Sequence, residues 1–289
     1  MIGRDLFEYT TAHDPALNYC LWDYQPPASG EDKFRPLNLL LHSFEVAGTS
    51  ERMSALVETL RQAIGPFKTV YGVKWIDGRL AWEFYFYDYA RTGREVSITR
   101  VLAALAPFGR SRVQANEQLP YFMFSLDIDD DLACGRREID VVHMYVGNPG
   151  SAVSSGIAYA LEPHGTTLEN FYFFFDAATQ RADAAAKIAS SAYFDASQLA
   201  MEEALIPELL DCQTICVANK RTHDCVYFSG VDVDQLAYFM DRLAYPDAIR
   251  GFVREHRADL NHLLFDVGID YRMESGRLAL LRSGYYGVF

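Results

Sequence analysis

Basic residues are scarce in this chain. Of 289 residues, 26 are Lys or Arg and 39 are Asp or Glu, for a formal net charge of −13, and only five are lysines. So acidic a polymer is a poor match for a phosphate backbone, and nucleic acid is not an expected partner. A polyanionic small molecule would need a local basic cluster or a divalent metal. Cysteine is also sparse: Cys20, Cys134, Cys212, Cys216 and Cys225 form an odd, scattered set with no C-x-x-C pair. That pattern excludes a disulfide framework and a structural zinc site and predicts free thiols. No apolar run approaches the ~20 residues that span a bilayer, and residues 1–8 lack the basic-then-apolar layout of a signal peptide. Cytoplasm is the expected compartment, and a membrane is not an expected partner.

Aromatic residues, in contrast, are abundant, with 19 Phe and 18 Tyr in a chain that is 50% hydrophobic. They concentrate in the stretch from Tyr71 to Tyr89. Asp77-Gly78 divides it into two runs of aromatic and β-branched residues, which is the signal for a tight hairpin. In the second run, a period of two puts Leu80, Trp82, Phe84 and Phe86 on one face and Glu83, Tyr85, Tyr87 and Tyr89 on the other. A solvated sheet face would carry Lys, Thr or Ser. A face of tyrosines with one carboxylate predicts an enclosed, semi-polar space.

The same grammar recurs along the chain. Residues 1–35 read as an irregular lead-in, and 37–46 as either a strand or a buried helix turn. A helix is expected from Thr49 to about Ile64, then the hairpin at 67–89, then a helix at about 96–106. Strand pairs follow at 121–128 with 139–146, 156–161 with 168–176, 214–219 with 224–229, and 264–272 with 278–286. Helices are expected at about 178–190, 195–210, 232–243 and 246–257. Period two groups Tyr121, Met123, Ser125 and Asp127 on one face; Val141, His143 and Tyr145 on their partner; and Asn170, Tyr172, Phe174 and Asp176 on the third pair. Five hairpins separated by helices predict an α+β fold in one domain over 1–289, a ten-stranded antiparallel barrel with helices outside and tyrosines within. A twisted open sheet with helices on one face is the alternative.

Four segments resemble the bacterial branch of the soluble aromatic prenyltransferases of the ABBA (αββα-barrel) type: Asp77-Gly-Arg79 leading into Trp82-Glu-Phe-Tyr85, Met123-Phe-Ser-Leu-Asp127, Glu169-Asn-Phe-Tyr-Phe173, and Leu281-Arg-Ser-Gly-Tyr-Tyr286. The resemblance covers about residues 50–289 and implies five αββα units around one lumen. It also implies a reaction between an allylic diphosphate and an aromatic small molecule, helped by Mg2+. By the same resemblance Glu83 stands at a metal-associated carboxylate, Asn170 at a phosphate-contacting amide and Arg282 at a diphosphate-binding cation. Tyr172 and Tyr227 would donate hydrogen bonds or shield an allyl cation, with Tyr85, Tyr87, Ser125, Tyr145, Phe174 and Tyr286 lining the lumen. Lys74, Arg272 and His143 are the further groups expected to converge on the diphosphate, His143 with an acid–base role. The chain departs from the pattern in having Lys74 as its one strand-core lysine and Asp140-Val-Val-His143 where a basic residue is expected.

Each residue also has a structural reading. Glu83 could pair with Lys74 or Arg79 across the hairpin, Arg282 with Asp266 or Asp270, and His143 could be a satisfied core histidine. Asp127-Ile-Asp-Asp-Asp131 lacks the glycine and distal glutamate of a calcium loop and reads as a solvated turn. Gly147-Asn-Pro-Gly150 with Ser151, Ser154 and Ser155 reads as a crossover, having neither a following helix nor a Walker lysine. No nucleophile elbow is present. The competing function is a barrel of the same architecture that binds or rearranges an apolar or aromatic metabolite without diphosphate, favoured if Asp127, Asp266 and Asp270 make the lumen acidic. An unrelated interaction protein is the third. Oligomeric state, acceptor and prenyl length are not legible.

Overall fold

A computed structural model of the chain describes residues 7–17, 23–88, 94–148 and 154–289. Cys20, Tyr89, Gly150 and Ser151 lie outside the described residues. Ten strands close into one antiparallel barrel in the order β1-β10-β9-β8-β7-β6-β5-β4-β3-β2. They are β1 (Thr69–Ile76), β2 (Arg79–Tyr87), β3 (Tyr121–Ile128), β4 (Val142–Gly147), β5 (Ser155–Glu162), β6 (Gly165–Asp176), β7 (Thr214–Lys220), β8 (Asp224–Val231), β9 (Phe265–Glu274) and β10 (Arg277–Val288). Asp77 (φ 48°) and Gly78 (φ 77°) form the left-handed turn of the first hairpin, and Ser275 (φ 53°) and Gly276 (φ 74°) repeat it in the last. The β1–β10 seam, Val70↔Val288 through Trp75↔Ser283, completes the ring.

Outside the ring lie α1 (Leu37–Ala47), α2 (Glu51–Ile64), α3 (Ile98–Leu105), the single turn α4 (Asp130–Ala133), α5 (Arg181–Ala189), α6 (Val233–Arg242), α7 (Asp247–Glu255) and the single turn α8 (Arg257–Leu260). Residues 37–46 are thus helical, and no described helix is long and apolar enough to cross a membrane. The greasy strand faces meet these helices. Trp82, Phe84 and Phe86 join one core with Phe44, Leu56 and Leu60, and the Trp82 indole donates to Ser43 Oγ at 2.8 Å. Burying each of these phenylalanines contributes about 2–3 kcal/mol. A second, smaller cluster sits inside the ring, where Tyr85, Tyr87, Met123, Tyr145 and Tyr286 pack together.

Two expectations need correction. No α-helix forms at 195–210; the segment holds only the 3-10 turns Met201–Glu203 and Pro207–Leu209. Pro207 has no N–H to donate, and Asp195 holds Ser197 and Gln198 in a local side-chain turn that competes with a helix. The covering helices are also uneven: Phe171, on the outer face of β6, stays 43% exposed. The acidic run divides: Asp127 belongs to β3, and only Asp129, Asp130 and Asp131 form the solvated turn expected for the whole run. Asp129 caps α4 through Leu132 N–H, while Asp130 and Asp131 pair with Arg136.

Helix α6 opens with a full capping box, in which Asp232 accepts from the Gln235 N–H at 2.9 Å and the Gln235 side chain accepts from the Asp232 N–H at 3.0 Å. Asp232→Ala is expected to destabilise the protein by about 1 kcal/mol. An unchanged chemical-denaturation midpoint would show that the cap contributes nothing.

Candidate functional site

The lumen holds two neighbouring chambers. The upper one, about 530 Å³, is walled at its mouth by Lys74, Glu83, Asp127, His143, Glu169, Lys220, Asp270 and Arg282. The lower one, about 380 Å³, has mainly apolar walls and includes Tyr87, Phe122, Met123, Phe174, Cys216 and Asp266. Tyr85, Tyr145, Tyr172 and Tyr227 line both chambers and form a waist between them. Tyr286 extends the waist on the upper side, its ring 5.8 Å from Tyr85 and 6.0 Å from Tyr227, while Tyr145 and Tyr172 face each other at 5.7 Å.

Period two delivers these side chains. On β2 it sends Glu83, Tyr85 and Tyr87 inward, and on β9 it sends Asp266, Gly268 and Asp270 inward. Burial raises the phenols of Tyr145, Tyr227 and Tyr286 well above their usual range, so the waist presents protonated hydroxyls and ring faces. Asn170 donates to the Tyr172 hydroxyl at 3.1 Å, fixing that ring from the adjacent lumen position of β6.

At the mouth two charged networks face each other. In the first, Lys74 pairs with Glu83 and lies 3.3 Å from Asp127, and Ser125 Oγ donates to Glu83. Ser125 lines neither chamber; it is fully buried behind Glu83. Burial acts to raise the Glu83 pKa, and Lys74 and His143 together outweigh it, so the carboxyl sits below its usual range. Burial acts to lower His143, but Asp127 and Glu169 outweigh it and raise the imidazole to about 10. Its Nδ1 is 2.7 Å from Glu169 and its Nε2 3.7 Å from Asp127. In the second network Asp270 is the hub. It accepts from Lys220 at 3.0 Å and from Arg282, with His223 Nε2 at 2.9 Å. Burial would raise Asp270, and Lys220, His223 and Arg282 together hold it well below the usual carboxylate range.

Lys74, His143 and Arg282 therefore converge, and Arg272 does not. It has the inward parity of Asp270, but β8 pairs with β9 only as far as Asp224↔Tyr271. Beyond that point the β9–β10 hairpin projects past the rim, and Arg272 pairs with Glu274 at 43% exposure. Four contributors were not anticipated. Lys220 extends β7 by one residue into the lumen, so Lys74 is not the one strand-core lysine, and Arg221 and His223 follow it in the turn. The basic cluster in that turn was the available signal. Glu169 enters through a bulge: Ala158 pairs with Asn170 and Tyr159 with Leu168, which leaves residue 169 unopposed and re-aimed.

Glu83 does not fit a resident metal, because Lys74 and Ser125 already engage its carboxylate. Among the described residues, no group of three or more His, Cys, Asp or Glu side chains is disposed to hold one.

The chain matches no family model and no curated protein sequence. Solved structures do match. The apo form of the prenyltransferase PriB aligns at TM-score 0.50 and 12% identity, over 86% of this chain and 94% of that one. AnaPT from Neosartorya fischeri aligns at TM-score 0.49 and 11% identity, over 87% and 92%. This is the ABBA-type prenyltransferase fold. Identity so low carries the fold alone, and what an ABBA barrel does is decided by its lumen.

Because His143 is raised, its charge adds stability that is complete below the ordinary value near 6.5 and is lost as pH rises through about 10. Titration of the His143 ring by NMR is expected to show protonation persisting past pH 8. A midpoint near 6.5 would mean that the Asp127–His143–Glu169 contacts do not form in solution.

Proposed function

We propose that the barrel transfers an isoprenoid from an allylic diphosphate to an aromatic small molecule. The observation that carries this reading is the waist, a belt of buried tyrosines directly beneath Lys74, Lys220, Arg221 and Arg282 and above an apolar chamber. The basic groups bind the diphosphate in the upper chamber. The allylic C–O bond breaks heterolytically, and the leaving group departs with the electron pair. The tyrosine faces shield the allyl cation by cation–π attraction and exclude water from it. An aromatic ring in the upper chamber attacks, and the resulting arenium ion loses its ring proton. That species is a strong acid, so the Glu83 carboxylate serves as base despite its lowered pKa. Mg2+ enters this scheme only as a companion of the diphosphate.

One observation favours a second reading. Lys74, Lys220, Arg221, Arg282, His223 and the raised His143 stand beside Glu83, Asp127, Glu162, Glu169 and Asp270, so six basic side chains meet five carboxylates. A nearly balanced mouth also suits an uncharged or zwitterionic aromatic metabolite that is bound or rearranged without diphosphate.

Calorimetric titration with geranyl diphosphate, with and without Mg2+, separates the two. Prenyl transfer predicts saturable binding that weakens about tenfold or more in Arg282→Ala, the cost of losing a charge-assisted contact. No binding at millimolar ligand would hand the site to the second reading.

A further inference from the structure

Two glycines lie against tyrosine rings of the waist. Gly268 is the cross-strand partner of Tyr227 on the β8–β9 ladder, and Gly72 is the partner of Tyr286 on the β1–β10 seam. In both pairs the tyrosine ring lies flat in the space a side chain would fill. A Cβ on Gly268 would stand 2.4 Å from Tyr227 Cδ1, and one on Gly72 would stand 2.6 Å from Tyr286 Cε1. Carbon atoms rest at about 3.5–4.0 Å, so either methyl group would drive its ring off the wall. At Gly72 the same Cβ would also stand 3.4 Å from the ring of Tyr85. Neither glycine has a positive φ, so no turn or left-handed backbone accounts for it. The missing side chains serve the neighbouring rings.

What an open waist admits follows from the two chambers. Most of the charged groups sit above it, and a mainly apolar space of about 380 Å³, with Asp266 on its wall, lies below. A ligand with an anionic head and a hydrocarbon tail places its head at the mouth and threads its tail between the tyrosines. Each methylene carried into apolar walls tightens binding about fourfold. A tail that ends at the waist gains none of this from the lower chamber.

We infer that Gly72 and Gly268 hold the waist open for an isoprenoid tail that reaches the lower chamber, so that the donor is a diphosphate of geranyl length or longer rather than dimethylallyl diphosphate. This rests on the prenyl-transfer reading and adds the class of donor. The same tyrosines then have two roles, shielding the allylic carbon and framing the passage of the tail.

The test is calorimetric titration of the full chain, of Gly268→Ala and of Tyr227→Ala with dimethylallyl, geranyl and farnesyl diphosphate. Geranyl diphosphate is expected to bind the unmodified protein about tenfold or more tighter than dimethylallyl diphosphate. Gly268→Ala is expected to pull that ratio toward one. Tyr227→Ala widens the waist from the other side and is expected to preserve or enlarge the ratio, which keeps the test decisive if the glycine variant fails to fold. Equal affinity for the short and long donors in the unmodified protein would overturn the inference, as would an undiminished ratio in folded Gly268→Ala or a ratio lost in Tyr227→Ala. Such results leave the prenyl-transfer reading standing. Silence from all three diphosphates would remove that reading and this inference with it.

Discussion

Pairing between β1 and β10 is the contact on which everything else in the molecule depends. Once those strands join, the sheet has no edge, and strand residues within the ring alternate between an outer face and the lumen. The alternation along β2 shows the consequence. Phe84 and Phe86 enter the helix-facing core, while Tyr85 and Tyr87 enter the inner cluster. An open sheet with the same sequence would leave the tyrosine face in water and would bring Arg282 on β10 nowhere near Lys74 on β1.

The enclosed space then dictates its electrostatics. Charged groups are costly to bury, and those at the mouth are stabilised by one another: Glu83 by Lys74, His143 by Asp127 and Glu169, and Asp270 by Lys220 and Arg282. The structural readings of Glu83 and Arg282 are therefore correct as far as the partners go, since Lys74 and Asp270 are their counter-ions. Those pairs also place cations directly above the waist. An incoming anion would compete with carboxylates that are already there, so the site exchanges partners and does not simply fill a vacancy.

How much of this was legible depended on the interaction concerned. Local periodicity placed Glu83, Tyr85, Tyr87, Tyr145, Tyr172 and Phe174 on the inner face, because the pleat obeys a rule of two wherever a ladder is regular. It failed where the ladder is not regular. The bulge that turns Glu169 inward depends on the pairing of β5 with β6, which one strand's sequence does not reveal. Arg272 had the right parity, but how far the hairpin outruns its neighbour is a property of β8. Lys220 and His223 look like turn residues in isolation, and only closure brings that turn to the mouth beside Arg282. The 195–210 segment has helical apolar spacing, which Pro207 and the Asp195 turn override.

The seam also governs how the molecule comes to exist. It joins residues 70 and 288, with almost the whole described barrel between them. Contacts so distant along the chain carry a large loop-closure cost before they contribute any stabilisation, which slows folding. Both Arg282 and Tyr286 belong to the strand that makes this last connection. A nascent chain can assemble hairpins and helices as they emerge, yet it has no lumen until β10 docks. The cavity is thus the final product of folding, and any intermediate short of closure exposes a tyrosine-lined sheet with two free edges, the species most exposed to aggregation.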